Sequence, residues 1–193
     1  MIIVSQSNLS DAPTVTNVIA EAFSTDPTWT WAFPNLSARK TFWALQVKNA
    51  FRYPYVLTTK KFEAVSVWIP PNGTELSPED EEKLPEILRE LVGDRASEVI
   101  ELLKKFDEAH PRGEPHYFLS LLATQHKYRG FGIGMALLKE GLARIDAEKM
   151  PAYLESSNPI NNQRYESVGF VPVTSFQAPG NGPTITGMWR KSQ

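Results

Sequence analysis

The residues best suited to chemistry in this chain begin with Arg129-Gly130-Phe131-Gly132-Ile133-Gly134. They follow an apolar run, Phe118 to Ala123, and precede an amphipathic run ending near Lys149, so the order reads as strand, glycine-rich turn, helix. Glycine lets backbone approach a ligand closely. The N–H groups of such a turn, joined to a helix start, suit a phosphate or pyrophosphate. A plain tight turn would use the same glycines. The dinucleotide pattern Gly-x-Gly-x-x-Gly fails, because the sixth position counted from Gly130 is Met135. A Walker loop fails too, for want of Gly-Lys followed by Ser or Thr. The chain has no cysteine, which excludes disulfides, thiolate metal sites and a covalent cysteine intermediate. His110, His116 and His126 match no familiar metal spacing, so no metal is expected.

Around the turn, the sequence predicts the elements that must position it. Ile2 to Val4 reads as a first strand, and Ser10-Asp11 offers N-cap chemistry for a helix carrying Val15, Val18, Ile19 and Phe23. Asp26-Pro27 breaks that helix, and the stretch to Pro34 is crowded with Trp29, Trp31 and Phe33. Ser37 is placed to cap a helix to about Phe51. Tyr55 to Thr58 and Ala64 to Ile69 read as a hairpin turning near Lys60-Lys61. Ser77-Pro78-Glu79 starts a helical insert of about 77–109, interrupted at Gly93. Its charged outer side and apolar stripe read as a solvated flank or lid. After the strand Phe118 to Thr124 come a helix from Gly132 to Lys149, a strand Ala152 to Glu155, and a short helix from Asn158-Pro159 to about Val168 with Gly169 as its C-cap. Phe170 to Phe176 and Thr184 to Trp189 close as an antiparallel pair.

With 193 residues and 41% apolar composition, one folded domain spanning 1–193 is expected. The net charge of −2 and the lack of any Lys or Arg run give no electrostatic reason to expect nucleic acid or an anionic membrane as partner. Met1 to Ser5 lacks signal-peptide character and no run reaches membrane-spanning length, so a cytoplasmic protein is expected.

The strand followed by Arg-Gly-x-Gly-Ile-Gly resembles the acyl-CoA-binding signature of the GNAT superfamily of N-acyltransferases. Asn161-Asn162-Gln163-Arg164-Tyr165-Glu166-Ser167-Val168-Gly169-Phe170 resembles that family's Asn-x-x-x-Tyr…Gly-Phe segment. Within the superfamily the pattern is similar to the puromycin N-acetyltransferase group, through Ala64 to Trp68, Glu114 to Leu119, Pro151 to Ser157 and Tyr165 to Phe170. Thr124-Gln125-His126 departs from it, standing where many relatives carry Val-x-Pro. The resemblance implies an α/β domain of the α+β type, with a mixed, mostly antiparallel sheet and helices on both faces. It implies acetyl-CoA (coenzyme A) as cofactor. The pantetheine arm would lie against Leu122, Ala123 and Thr124, and the pyrophosphate on Arg129, Gly130, Phe131, Gly132, Ile133 and Gly134. Asn161 either hydrogen-bonds that arm or caps its helix.

The resemblance also implies that Tyr165 protonates the departing thiolate and that Leu122 N–H steadies the oxyanion. A phenol of pKa ~10 keeps its proton at neutral pH. The need for a base depends on the acceptor: an alkylammonium needs about 4.6 kcal/mol to become neutral at pH 7, an α-amine little over ~1 kcal/mol. Glu155 is the matching candidate base, set against a charged strand end facing solvent; His116 and Glu63 are alternatives. Trp29, Trp31, Phe33 and Trp68 are candidates to line an acceptor pocket, although aromatics mostly build cores. A small-molecule primary amine is the expected acceptor and a monomer or homodimer the expected assembly. The competing readings are an enzyme acting on protein lysine or N-termini, and a non-catalytic acyl-CoA-binding sensory domain.

Overall fold

A computed structural model describes residues 2–193. Its centre is a seven-stranded sheet made of β1 (Val4–Gln6), β2 (Val56–Thr59), β3 (Ala64–Ile69), β4 (Tyr117–Thr124), β5 (Ala152–Ser156), β6 (Val171–Gln177) and β7 (Thr184–Arg190). The spatial order is β1-β2-β3-β4-β5-β7-β6. Every neighbouring pair is antiparallel except β4 and β5, which run parallel. This is the mixed, mostly antiparallel sheet that the sequence led us to expect.

Strand alternation sends side chains to two cores. One face carries Val65, Val67, Phe118, Leu121, Tyr153 and Ile185. It is covered by α1 (Ala12–Ala22), α2 (Pro27–Ala32), α3 (Leu36–Ala50), α4 (Pro78–Val92) and α5 (Ala96–Ala109). The other face carries Leu57, Trp68, Leu119, Leu154 and Met188 under α6 (Ile133–Ala147). Leu138, Leu142 and Ile145 form the buried stripe of α6 at helical spacing. Gly141 lets that helix sit close, since a Cβ there would lie 2.6 Å from Trp68 Nε1. A short α7 (Asn162–Glu166) follows β5.

One irregularity shapes everything downstream. Against β3, Val67 pairs with Leu121 but Trp68 pairs with Leu119, so Ser120 is an extra residue in β4. Phe118 and Leu121 therefore share a face although they stand three positions apart, which regular alternation would send to opposite faces. Such a bulge bends its strand. β4 pairs with β5 only over Tyr117–Leu119 against Ala152–Leu154, and from the bulge onward its outer edge has no neighbouring strand. β5 continues to Ser156 paired with β7 alone.

Several boundaries differ from the sequence expectation. The first strand is Val4–Gln6 rather than Ile2 to Val4, because Val4 to Gln6 are what meet β2, while Ile2 and Ile3 stay exposed. The aromatic stretch after Asp26 is helical, as α2: Asp26 accepts from Thr28 N–H (3.0 Å) and Trp29 N–H (3.1 Å), and Pro27 occupies the first turn. Asn35, not Ser37, caps α3. Ser77 caps α4 as anticipated, by accepting from Asp80 N–H.

Candidate active site

The gap between β4 and β5 has the glycine turn at one end. Gly130 (φ +84°) and Gly132 (φ +73°) occupy the left-handed region that disfavours other residues. Gly132 is the N-cap of α6. At Gly134, a Cβ would come within 2.4 Å of Thr124 Oγ1, so glycine is what lets the helix start press on the strand end. Among the described residues, the N–H groups of Gly130 through Met135 find no acceptor in the protein. A run of free N–H groups ending in a helix N-terminus is an anion-binding concavity. Arg129, expected on the anion, instead donates to Ala22 O (2.5 Å) and to Thr124 O (3.4 Å), tying the turn to the end of α1.

At the other end the gap opens into a cavity of about 540 Å³. Leu121 and Leu122 line it from β4, Leu154 and Glu155 from β5, and Asn161 and Tyr165 from the segment after β5. Tyr165 is half-buried, rests on Phe170 and makes no protein hydrogen bond through its hydroxyl. Burial, reinforced by the negative charge of Asp26, pushes its phenol up to about 12. Asp26 also accepts from Ser157 Oγ (2.8 Å), and Thr28 Oγ1 donates to Ser157 O (2.7 Å), which fastens α2 to the end of β5. Asn161 forms no capping bond; its Oδ1 accepts from Arg164 (2.6 Å), while Asn158 caps the turn before it.

Glu155 is not a solvated strand end. Its side chain is 7% exposed and Oε1 is buried without a hydrogen-bond partner. Burial, with Asp107 nearby, raises its carboxyl to about 8. His110 Nδ1 stands 3.8 Å from Oε1.

Glu75 reaches the same cavity from the loop after β3, and the bulged Ser120 donates to it. Desolvation lifts Glu75 to about 7, with the Ser120 hydrogen bond pulling it down and the charge of Glu155 pushing it further up. Sequence reasoning missed Glu75 and His110; neither lies in a motif, and both are brought in by contacts distant along the chain. The helices of the 77–109 stretch do more than flank, since Leu103, Phe106 and Asp107 of α5 form part of the cavity wall.

Of the four aromatics considered for the pocket, only Trp29 lines it. Phe33 is fully buried and stacks on Phe42 at 4.5 Å. Trp31 lies under the Arg95 guanidinium, 4.9 Å from ring centroid to carbon. Trp68 belongs to the opposite face, against α6, because it alternates with Val67 along β3. Glu63, an alternative base, instead staples the hairpin by accepting from Thr59 Oγ1 (2.6 Å) and Lys61 N–H (3.1 Å). His116 does line the cavity.

A parallel pair that splays at a bulge, in an otherwise antiparallel sheet, is the decisive feature. The fold is that of the GNAT acetyltransferases. No protein-family model matches the sequence. Similar solved structures include a histone acetyltransferase and related acetyltransferase from Corynebacterium glutamicum, at 24% identity and TM-score 0.71, covering 100% of this chain and 97% of that one. A polyamine N-acetyltransferase from Drosophila melanogaster is similar at 14% identity and TM-score 0.69, covering 99% and 100%. A ribosomal-protein-alanine N-acetyltransferase from Escherichia coli is similar at 16% identity and TM-score 0.56, covering 100% and 95%. Those names span small amines and proteins, so the shared fold does not choose the acceptor. Among the described residues, no helix is long and apolar enough to cross a membrane.

Proposed function

We propose that this protein transfers an acetyl group from acetyl-CoA to a primary amine of a small molecule, by direct attack of the neutral amine on the thioester. The observation that carries this reading is the open edge of β4 between a run of free N–H groups and a cavity holding Glu155 and Tyr165. The glycine turn fits a pyrophosphate: its donors are free, and a side chain at Gly134 would strike Thr124.

When bound, acetyl-CoA supplies an activated acetyl thioester and a thiolate leaving group. Gly130 to Gly134 would hold the diphosphate, with the start of α6 adding roughly half a positive charge. Leu122, Ala123 and Thr124 offer strand-edge donors and acceptors to the pantetheine arm, joined by Asn161. Leu122 N–H is the donor we assign to the developing oxyanion. Tyr165 keeps its proton at neutral pH because burial raises it, and gives it to the thiolate. Glu155 takes the proton of the acceptor ammonium.

The acceptor reading rests on the cavity wall. Carboxyl groups of Glu75, Asp107 and Glu155 meet Trp29 and Phe106 there, which suits a cationic amine with an apolar or aromatic body. The segments similar to the puromycin N-acetyltransferase group, and a neighbour named for polyamines, support the same class. Calorimetric titration with acetyl-CoA, CoA, NAD and ATP tests the donor; selective binding of the first two is expected, followed by thiol release with an amine panel. Tighter NAD or ATP binding, or none with CoA, overturns the proposal.

A further inference from the structure

Behind Glu155 lies a row of imidazoles that the scheme above does not use. His116 Nδ1 is 2.7 Å from the Glu114 carbonyl oxygen, and His116 Nε2 is 3.1 Å from His110 Nε2. His110 Nδ1 in turn faces Glu155 Oε1. The first contact determines the rest. A carbonyl oxygen only accepts, so His116 carries its proton on Nδ1. Burial disfavours the charged form of both rings. A neutral His116 then presents a lone pair at Nε2, and His110 must donate to it from Nε2. Neutral His110 is left with a lone pair at Nδ1, aimed at the unpartnered Glu155 Oε1. Two facing lone pairs need a proton between them.

We propose that His110 is a positioning residue for the base: it shares one proton with Glu155, and His116, anchored on the Glu114 carbonyl, fixes the tautomer that makes the sharing possible. This rests on Glu155 acting as base in the function proposed above. The pair gives up its proton toward alkaline pH, and the emptied pair is the form that works. An N–H bond of the acceptor ammonium breaks as an O–H bond forms on Glu155. That O–H bond breaks as an N–H bond forms at His110 Nδ1, and this N–H bond in turn breaks to a water entering the cavity that His110 lines once the product has left. The separation of 3.8 Å is too long for a hydrogen bond, and the proposal requires the two groups to close by roughly 1 Å on the proton they share. The charged and titratable groups facing the pair are Glu75 from the loop after β3, Asp107 from α5, Arg112 and Glu114 from the segment beyond it, His116, and Tyr153 from β5.

Imidazole ¹⁵N spectra of the full chain without ligand test the arrangement directly. The expected result is Nδ1–H for His116, Nε2–H for neutral His110, and a His110 titration that moves by about one pH unit or more in Glu155→Gln. An Nδ1–H tautomer for His110, or a titration indifferent to Glu155→Gln, overturns the proposal. Kinetics give a second readout with His110→Phe, which keeps the ring packing on Phe118 and Tyr153. At neutral pH this variant should lose about tenfold or more in turnover of 2-phenylethylamine, with the alkaline rise in rate displaced. It should leave phenylhydrazine, already neutral, unaffected. Equal losses on both amines would mean a packing role only, and overturn the assignment. If the wild type acetylates neither amine, the acyltransferase reading is what suffers, and the spectra still decide the shared proton.

Discussion

The donor role proposed for Tyr165 rests on its surroundings: its hydroxyl is unbonded and its acidity is suppressed by burial and by Asp26. Tyr165→Phe removes only that oxygen. It should lower kcat by about a hundredfold to a thousandfold while leaving acetyl-CoA affinity intact, as read by steady-state kinetics beside calorimetry. Gly132→Ala tests the opposite end of the seam. Space is open there, so the penalty is the left-handed backbone, about 1–2 kcal/mol; urea unfolding should show that loss and titration a weaker affinity for CoA. Both residues were legible because their signals are local, a glycine at a fixed step from a helix and a tyrosine at a fixed step from Asn161. Glu75 and His110 were not. Glu75 meets Ser120 across 45 positions of chain, and no spacing rule records such a meeting. Trp68 and Phe33 were misjudged for a related reason: residue type announces an aromatic wall, but not that Trp68 faces the other side of the sheet or that Phe33 is sealed behind Phe42.

The elements themselves were largely readable, since strand alternation and helical stripes repeat within short windows. Asp26-Pro27 shows the limit: it reads as the break after α1, but α1 has already ended at Ala22, and the Asp26 bonds to Thr28 and Trp29 make the dipeptide the start of α2. The bulge at Ser120 was equally hidden. It breaks alternation by a single residue, and its bending of β4 exists only relative to β3 and β5. The end of α6 is joined to β7 by a two-pronged pair, with Arg190 donating to Asp146 at 2.7 and 2.8 Å while remaining 4% exposed itself. Asp146→Asn should therefore cost about 3 kcal/mol in denaturant unfolding, leaving a buried guanidinium uncompensated. Hydrogen bonds from Arg190 hold the Asp146 carboxyl below its usual range. The stability from this pair is thus full above the ordinary aspartate pKa and drains away as pH falls through the depressed one. The contrast between wild type and Asp146→Asn should narrow in acid accordingly.

For the molecule as a whole, the base role proposed for Glu155 would set turnover and stability against each other. Its raised carboxyl favours the protonated form in the fold, so its contribution to stability is complete below the ordinary glutamate pKa and is lost as pH climbs through about 8. Glu155→Gln, which stays neutral, should exceed the wild type by a few kcal/mol (order of magnitude) in urea unfolding at mildly alkaline pH, and match it in acid. The same variant should turn over alkylamines poorly, whereas wild-type rates rise with pH through about 8 as the base is freed. A variant less stable in base, or fully active, would contradict this. The seam between β4 and β5 carries one more implication. With pairing confined to Tyr117–Leu119, the middle of the sheet lacks one rung of material that an extended ligand could furnish. Stiffness would then depend on metabolite supply: amide exchange along Leu121 to Thr124 and the protease resistance of the chain should both respond to CoA, so that the protein is firmest in mid-turnover and loosest when starved.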